Sequence, residues 1–312
     1  MKLNFALFIF FLTSNVFGAC GYSITAPALN YTAADTNPAT AHTVTLARGN
    51  LGNAACNNFT LGFSKGGAAS YNRLATNSLN GSTLAYNLYK TGTSTSSLTL
   101  LPDATSNAQI LSGTIAKNSS KALNYYFILG PITSVATTRG GTYQDLITVE
   151  ARSGTFSVVN AVETTNTLSV TITVPKIASL SLVDTGGAYN AASTSKTLDF
   201  GTLVTNEQLN FDVIVLSNAG YQLSVSSTNN QIMKLSGGGS TLDTQVAYNF
   251  YANSVLKNLT TSATTPVLLS SGSAVTPSQG ARIPISVVIQ SADNKVDGTY
   301  QDYLTFTVAT TE

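Results

Sequence analysis

The sequence has 312 residues, a formal net charge of +1 and only 9% charged residues. So small a charge provides no basic surface for nucleic acid or for an anionic membrane, and we expect no nucleic-acid partner. The hydrophobic content of 43% is too high for a disordered chain. The length suggests about two domains.

The first 18 residues, MKLNFALFIFFLTSNVFG, have the composition of a secretory signal peptide. Lys2 precedes an apolar run over residues 5–12, and cleavage is predicted before Ala19. The run is too short to cross a bilayer. We therefore expect a mature chain that is exported through the periplasm and then displayed at the cell surface or secreted.

Cys20 and Cys56 are the two cysteines of the chain. In an oxidising compartment their expected state is a disulfide. A second interpretation stays open, because FGAC has some features of a lipoprotein box, in which Cys20 would be lipidated instead.

Short strand-like runs separated by turn-forming residues fill the rest of the chain. They alternate apolar residues with Thr, Ser and Asn, and are rich in Val, Ile and Tyr. In chain order they include YSITAPALNY, HTVTLA, FTLGFS, LNYYFIL, LNFDVIVL, YQLSVSS and RIPISVVIQ. The pattern predicts an all-β protein built from immunoglobulin-like β-sandwiches.

Two motifs occur twice, in the same order. LAYNLY at 84–89 returns as VAYNFY at 246–251, and GTYQDLITV at 141–149 returns as GTYQDYLTF at 298–306. The repeats predict two homologous domains in tandem, residues 19–175 and residues 176–312.

The repeated motifs, LDFGTL at 198–203 and the pair Cys20 and Cys56 resemble the spore coat protein U family. Members of that family include subunits of archaic (Csu-type) chaperone–usher pili. The resemblance covers both halves of the mature chain and implies two spore coat U-like domains, an N-terminal adhesin domain and a C-terminal pilin domain. The second domain departs from the pattern because it has no cysteine, and Leu180 stands near the position of the first one.

The two domains differ after the GTYQD strand. In the first, TFSVVNAV and NTLSVTITV follow this strand, whereas in the second it is the last predicted strand. We therefore predict that residues 168–174 close the first domain and that the second lacks a final strand. The closing side chains are Leu168, Val170, Ile172 and Val174. The other interpretation is that residues 168–174 form an ordinary strand unrelated to assembly.

An incomplete sandwich can be completed by a strand from another chain, which is donor-strand complementation. The mature chain enters its first strand almost at once, so we expect it to accept a strand and to donate none. Such a subunit ends a fibre, and the resemblance implies the pilus tip. The implied partners are a periplasmic chaperone, an outer-membrane usher and an adjacent pilin subunit. The alternative is a secreted coat or matrix protein without a pilus.

Catalysis has little support in the sequence. His42 is the only histidine, and no catalytic triad or metal-ligand spacing surrounds it. We expect no enzyme activity, no cofactor and no metal. Asp145 and Asp302 stand at equivalent places in the GTYQD motifs and are interpreted as fold-locking residues.

Surface binding is expected at loops of the first domain, near residues 36–39, 68–71 and 131–135. The third loop contains Pro131, Ile132 and Val135, and is the predicted adhesive loop because it carries apolar side chains. These residues could instead pack into the end of the sandwich. The sequence leaves open both an apolar contact and a sugar pocket, although the absence of Trp argues against a stacking lectin.

Overall fold

The computed structural model describes residues 19–158 and 160–311, so the predicted signal peptide lies outside the described residues. The described chain is all-β, as predicted. Its helical segments are short 3-10 turns at Ala54–Asn57, Leu101–Asp103, Asn107–Gln109 and Leu242–Thr244. No helix within these ranges is long and apolar enough to span a membrane.

The chain divides into two compact units. Within the described residues, the first comprises 19–31, 36–131 and 143–172, and the second comprises 32–35, 132–142 and 173–311. The main division therefore falls between Ile172 and Thr173, a few residues before the predicted boundary. Two short loops from the first half of the sequence cluster with the second unit.

Ten of the described strands come from the first half of the chain. They are β1 Tyr22–Thr25, β2 Leu29–Thr32, β3 Thr40–Arg48, β4 Asn58–Phe63, β5 Arg73–Thr76, β6 Thr83–Tyr89, β7 Leu111–Thr114, β8 Ser119–Leu129, β9 Gly141–Ser153 and β10 Val162–Val174. They form one sheet in the order β1-β3-β8-β6-β5-β9-β10-β2, while β4 pairs with β7 and β9. Alternate residues of the long strands point inward, as on β9, where every second side chain is buried.

Ten further strands come from the second half. They are β11 Ala178–Val183, β12 Gln208–Ser217, β13 Gly220–Ser227, β14 Ile232–Leu235, β15 Gln245–Ala252, β16 Val255–Lys257, β17 Val267–Gly272, β18 Ala281–Ile289, β19 Tyr300–Gln301 and β20 Leu304–Thr311. One sheet has the order β11-β12-β18-β15-β14-β19 with β16 beside β15, and a second sheet has the order β17-β13-β20.

The core of the second unit lies between these two sheets. Its buried side chains are aliphatic and aromatic, and include Val213, Val215, Leu223, Val225, Phe250, Ile285 and Ile289. A further group of apolar side chains packs against this core without being fully buried, and most of that group lies on β11, on β20 and in residues 198–203. This incomplete burial marks the candidate site.

Candidate functional site: an open strand edge in the second unit

Strand β20 is an edge strand of the second unit. It pairs along its length with β13, from Ser227↔Leu304 to Gly220↔Thr311. No other described strand pairs with β20, and no hydrogen bond within the described residues reaches the backbone groups on its outer edge. Such a row of unpaired N–H and C=O groups is a template for another strand.

The inner face of β20 is apolar but only half-buried. Leu304, Phe306 and Val308 alternate with the exposed Thr305 and Thr307. The Phe306 ring lies 5.9 Å from that of Phe211 and 6.3 Å from that of Phe250, so it reaches the core. The three apolar side chains thus contribute to the core of the second unit and still remain accessible to solvent.

Strand β11 borders the same region. It packs beside β20, but the two strands form no ladder. Its Leu180 and Leu182 are also half-buried against the core. We call these five side chains, Leu180, Leu182, Leu304, Phe306 and Val308, the apolar seam. The outer edge of β11 is partly occupied, since the Leu182 N–H donates to the Ser193 carbonyl at 2.7 Å, so β20 is the more open side of the seam.

The equivalent strand of the first unit is covered. By the GTYQD repeat, Ile147, Val149 and Ala151 of β9 correspond to Leu304, Phe306 and Val308, and each of these three β9 residues is 0% exposed. Strand β9 is hydrogen-bonded to β10, which in turn pairs with β2. The second unit has no described strand in the place of β10, and this accounts for the difference in burial.

The predicted closing residues all lie on β10. Leu168, Val170 and Ile172 are 0% exposed and Val174 is 1% exposed. The end of β10 is also held by the backbone, because the Ala33 N–H donates to the Thr173 carbonyl at 2.8 Å. These positions agree with a closing strand, while its connection with assembly stays a prediction.

The two repeated motifs of each half contact each other through a Tyr–Asp hydrogen bond. In the first unit the Tyr86 hydroxyl donates to Asp145 Oδ2 at 2.7 Å, and in the second the Tyr248 hydroxyl donates to Asp302 Oδ2 at 2.6 Å. Burial, and then the hydrogen bond to the carboxylate, raise the pKa of both tyrosines. Both phenols therefore stay protonated donors at neutral pH.

Each carboxylate also binds backbone amides. Asp145 Oδ1 accepts from the N–H groups of Gly67 at 2.9 Å and Leu146 at 2.8 Å. Gly66 adopts φ +64°, and a Cβ there would lie 2.1 Å from Asp145 Oδ2, so the turn requires glycine. Asp145 thus joins its own strand to the Gly66–Gly67 turn and to β6.

Asp302 makes the matching contacts in the second unit. Its Oδ1 accepts from the N–H groups of Asn229 at 3.0 Å and Tyr303 at 2.8 Å, and its Oδ2 accepts from the Ser227 hydroxyl at 2.6 Å. The duplicated aspartates are thus fully engaged in holding strands together. These contacts agree with the interpretation of both residues as fold-locking residues.

Cys20 and Cys56 form a disulfide with a Cα–Cα distance of 5.4 Å. The Cys20 N–H donates to Glu163 Oε2 at 3.1 Å, and the Tyr22 hydroxyl donates to the Cys56 carbonyl at 2.6 Å. Glu163 also accepts from the Ser153 hydroxyl at 3.0 Å. The start of β1 and the residues before it are thereby tied to the 3-10 turn at Ala54–Asn57, to β9 and to β10.

The predicted adhesive loop is divided in its exposure. Pro131 is exposed, Ile132 is half-buried and Val135 is buried. The Val135 N–H donates to Asp35 Oδ1 at 2.8 Å, and its carbonyl accepts from Asn218 Nδ2 at 2.8 Å. A role in adhesion stays a prediction for this loop, and Val135 is not among the side chains that it presents to solvent.

Asn218 is a residue that the sequence did not single out. It is 1% exposed, its Oδ1 accepts from the Ile177 N–H at 2.7 Å, and its Nδ2 also donates to the Pro175 carbonyl at 2.9 Å. Its own carbonyl accepts from the Gly140 N–H at 2.7 Å. Asn218 therefore fixes the backbone where the chain leaves β10. A single Asn between two strands is typical of a turn, so the local sequence does not predict that Asn218 binds the backbone after β10.

His42 lies on β3 and is half-buried. Its ring stacks on that of Tyr125 at 5.7 Å, and burial lowers its pKa. Within the described residues, no group of three or more His, Cys, Asp or Glu side chains could hold a metal ion. His42 therefore serves as a packing residue.

Comparison with solved structures returns fimbrial proteins at low identity. CsuE, described with CsuC as a chaperone–tip adhesion subunit complex of Acinetobacter baumannii, is 15% identical, with 92% of this chain and 99% of that chain covered and a TM-score of 0.36. CupB6, a tip adhesin of Pseudomonas aeruginosa, is 11% identical, with coverages of 93% and 95% and a TM-score of 0.41.

CfaE, the adhesive subunit of CFA/I fimbria of enterotoxigenic Escherichia coli, is 10% identical, with coverages of 92% and 94% and a TM-score of 0.43. Likeness at this level does not define a function. No curated protein matches the sequence. Residues 6–150 match the family model described as Spore Coat Protein U domain, which ends within β9 and before β10. The N-terminal half of the chain is therefore similar to the Spore Coat Protein U domain, as the motifs of that half predict.

Proposed function

We propose that the protein is an adhesive subunit of a chaperone–usher pilus, anchored by a β-strand that another chain inserts beside β20. The observation that carries the proposal is the open edge of β20 above a half-buried apolar face, where the matching strand β9 is fully covered by β10. The match of residues 6–150 to the Spore Coat Protein U domain supports the same assignment, because the family that the motifs resemble includes pilus subunits.

The energy available from such an insertion is adequate for a stable anchor. A donor strand with four aliphatic side chains that become buried contributes about 6–12 kcal/mol before entropic costs. Each backbone hydrogen bond formed with β20 adds about 1 kcal/mol. The total is comparable to the stability of a whole domain, about 5–15 kcal/mol.

The open edge supports three partners for the protein. A periplasmic chaperone would cover the apolar seam after export, an usher would exchange the chaperone for a subunit, and the adjacent pilin would supply the permanent strand. The first described strand, β1, is already paired with β3, so a strand to lend would have to lie outside the described residues. A subunit that accepts a strand beside β20 and keeps β1 in its own sheet would stand at the pilus tip.

The test uses the protein's own closing strand as a donor. A synthetic peptide with the sequence of residues 165–175 is titrated into the full-length protein, and binding is followed by calorimetry and by the thermal melting of the second unit. We expect one peptide to bind and to raise the melting temperature of the second unit only. The control peptide carries Asp at the positions of Val170 and Ile172 and should not bind.

A matched protein variant locates the binding site. Phe306→Asp places a charge in the apolar seam and should abolish peptide binding, whereas Leu146→Asp, at a side chain that is 64% exposed on β9, should leave it unchanged. A full-length protein that is heat-stable without any added strand and ignores the peptide would contradict the proposal and favour a free-standing coat or matrix protein.

A further inference from the structure

A cleft of about 320 Å³ opens on the first unit, between the start of β4, the end of β7 and the turn that follows β9. Its volume is at the lower end of the range for small-molecule sites, about 300–1,000 Å³. None of the side chains that line it is ionisable; they are amides, hydroxyls and the two aromatic rings of Phe59 and Phe156, with two glycines. The cleft lies apart from the three loops in which adhesion is predicted.

The walls of the cleft are held by hydrogen bonds, two between backbone groups and one from the side-chain amide of Asn160. The Gly154 N–H donates to the Asn58 carbonyl at 2.8 Å, and the Val158 N–H closes the turn by donating to the Thr155 carbonyl at 3.0 Å. The Asn160 amide donates to the Ser153 carbonyl at 2.7 Å. A site preformed in this way loses little conformational entropy on binding.

Several polar groups of the lining are available to a ligand. The Asn58 amide and the Thr114 hydroxyl have no hydrogen-bond partner among the described residues, although both line the cleft. Asn107 Oδ1 accepts from the Ser112 hydroxyl at 3.0 Å, which fixes the Asn107 amide and leaves its N–H groups to donate. Phe156 is half-buried and supplies an apolar wall.

This combination selects a neutral polyol with an apolar face. Amides and hydroxyls pair with the hydroxyl groups of a sugar, and an aromatic ring packs against its C–H groups. The lining residues carry no charge of their own, and the Lys90 ammonium beside them is engaged by the Asn107 carbonyl at 2.9 Å. The nearby Lys121 ammonium is engaged, at 5.9 Å from the Phe59 ring centre and 3.4 Å from the Thr114 carbonyl oxygen.

We propose that this cleft binds a neutral saccharide of one or two sugar rings. The inference rests on the adhesive function proposed above and names its ligand class. The cleft lies beside Ser153, at the end of β9, and near the start of β10. From there β10 runs about 30 Å before the chain passes to the second unit, at roughly 3.3 Å per residue. A ligand would thus bind at the end of the first unit that is far from this connection.

The experiment screens the full-length mature protein on an array of neutral mono- and disaccharides and of matched sialylated and sulfated glycans. The Kd of the best neutral glycan is then measured for wild type, Asn58→Ala, Thr114→Val and Phe156→Ala. We expect neutral glycans to bind, and each variant to weaken binding several-fold to about tenfold, as for the loss of one hydrogen bond or apolar wall.

The matched controls are Asn124→Ala and Leu146→Ala, two exposed residues outside the cleft, which should bind like wild type. Thr114→Val nearly preserves side-chain shape, so it keeps the test decisive if Phe156→Ala does not fold. A preference for charged glycans, no glycan binding, or wild-type binding by both Asn58→Ala and Thr114→Val would overturn the proposal.

Capture of the donor peptide is measured on the same preparations. Peptide capture without glycan binding would overturn the saccharide site and leave the pilus assignment standing. Glycan binding without peptide capture would support the cleft and overturn the pilus assignment.

Discussion

In the first unit the strand GTYQDLITV runs beside β10, and its Ile147 and Val149 are fully buried. In the second unit the motif GTYQDYLTF spans β19, which pairs with β14, and the start of β20. Among the described strands β20 pairs with β13 alone, and its Leu304 and Phe306 stay half-exposed. The sequences of the two strands are nearly the same, so the strand itself does not determine its burial. A neighbouring strand does, and the first unit contains that strand while the second lacks it among the described residues.

The comparison also separates the features that the two units share from those that they do not. Both have the Tyr–Asp hydrogen bond between repeated motifs, so this bond belongs to the common fold. The disulfide and β10 occur in the first unit only. The first unit is thus covered by a strand of its own chain, whereas the second has an open strand edge among the described residues.

The largest expected effect comes from a charge on β10. Ile172→Asp puts a carboxylate where the side chain is 0% exposed and should lower the free energy of unfolding of the first unit by about 4–5 kcal/mol or more. Phe306→Asp, on the half-exposed apolar seam, should lower the free energy of unfolding of the second unit by about 1–2 kcal/mol. Urea denaturation, in which the two units unfold in separate transitions, measures both free energies. Equal losses of unfolding free energy in the two units would contradict the proposed difference in burial between β10 and β20.

Removal of the disulfide should have the next largest effect. The bond spans 36 residues, and the chain-entropy estimate for such a loop is about 3–4 kcal/mol. Cys20→Ser with Cys56→Ser should therefore shift the unfolding of the first unit and leave that of the second unchanged. Intact mass of the wild-type protein with and without reductant checks the bond, and a lipid on Cys20 would refute it.

Removal of the Tyr–Asp hydrogen bond should lower the stability of either unit. Tyr86→Phe and Tyr248→Phe each remove a donor to a carboxylate, at a cost of about 1.5–3 kcal/mol. We expect the larger loss of stability for Tyr86→Phe. Without this tyrosine Asp145, which is 8% exposed, keeps two other hydrogen-bond donors. Asp302 is only half-buried and keeps three donors after Tyr248→Phe. Tyr303→Phe, at a 66% exposed ring, is the matched control and should change stability little.

The smallest expected effect is a pH dependence of stability, and it should be confined to the first unit. Burial lowers the pKa of His42 below its ordinary value of 6.5, so the unfolded chain takes up the proton at a higher pH than the folded one. The stability of the first unit should therefore fall as the pH drops from about 7 to about 5. His42→Gln should remove this part of the dependence, and an unchanged urea midpoint in the wild type would contradict it.

Much of the fold could be predicted from local sequence patterns. Alternation of apolar and polar residues identifies strands, and the repeated motifs reveal two similar halves. The extra strand after β9 could be read from Leu168, Val170 and Ile172, because their spacing of two residues is itself the signal. Burial of these residues agrees with that prediction.

Contacts between distant residues could not be predicted. The YNLY and GTYQD motifs were each visible, but their meeting through Tyr86 and Asp145 depends on the order of strands in the sheet. Asn218 gives no signal, because its role comes from three backbone partners that only the fold brings near. The same holds for the saccharide cleft, whose lining comes from four separate segments, residues 58–59, 107, 112–114 and 154–157.

Val135 shows that the exposure of an apolar loop residue cannot be predicted from its hydrophobicity. A valine in a loop predicts either display or burial, and local sequence cannot separate the two outcomes. Here its backbone is held by Asp35 and Asn218, and the side chain is 7% exposed. The hydrogen-bond partners, and not the hydrophobicity of the residue, determine where this part of the loop lies.

The most direct test of the open edge is hydrogen exchange of the β20 amides, with the β9 amides as the internal reference. Without a donor strand, we expect the amides on the outer edge of β20 to exchange rapidly, while those of β9 are protected by their pairing with β10. Addition of the peptide of residues 165–175 should slow exchange along β20 and leave β9 unchanged. Full protection of β20 in the free protein, or no change on addition of the peptide, would contradict the account.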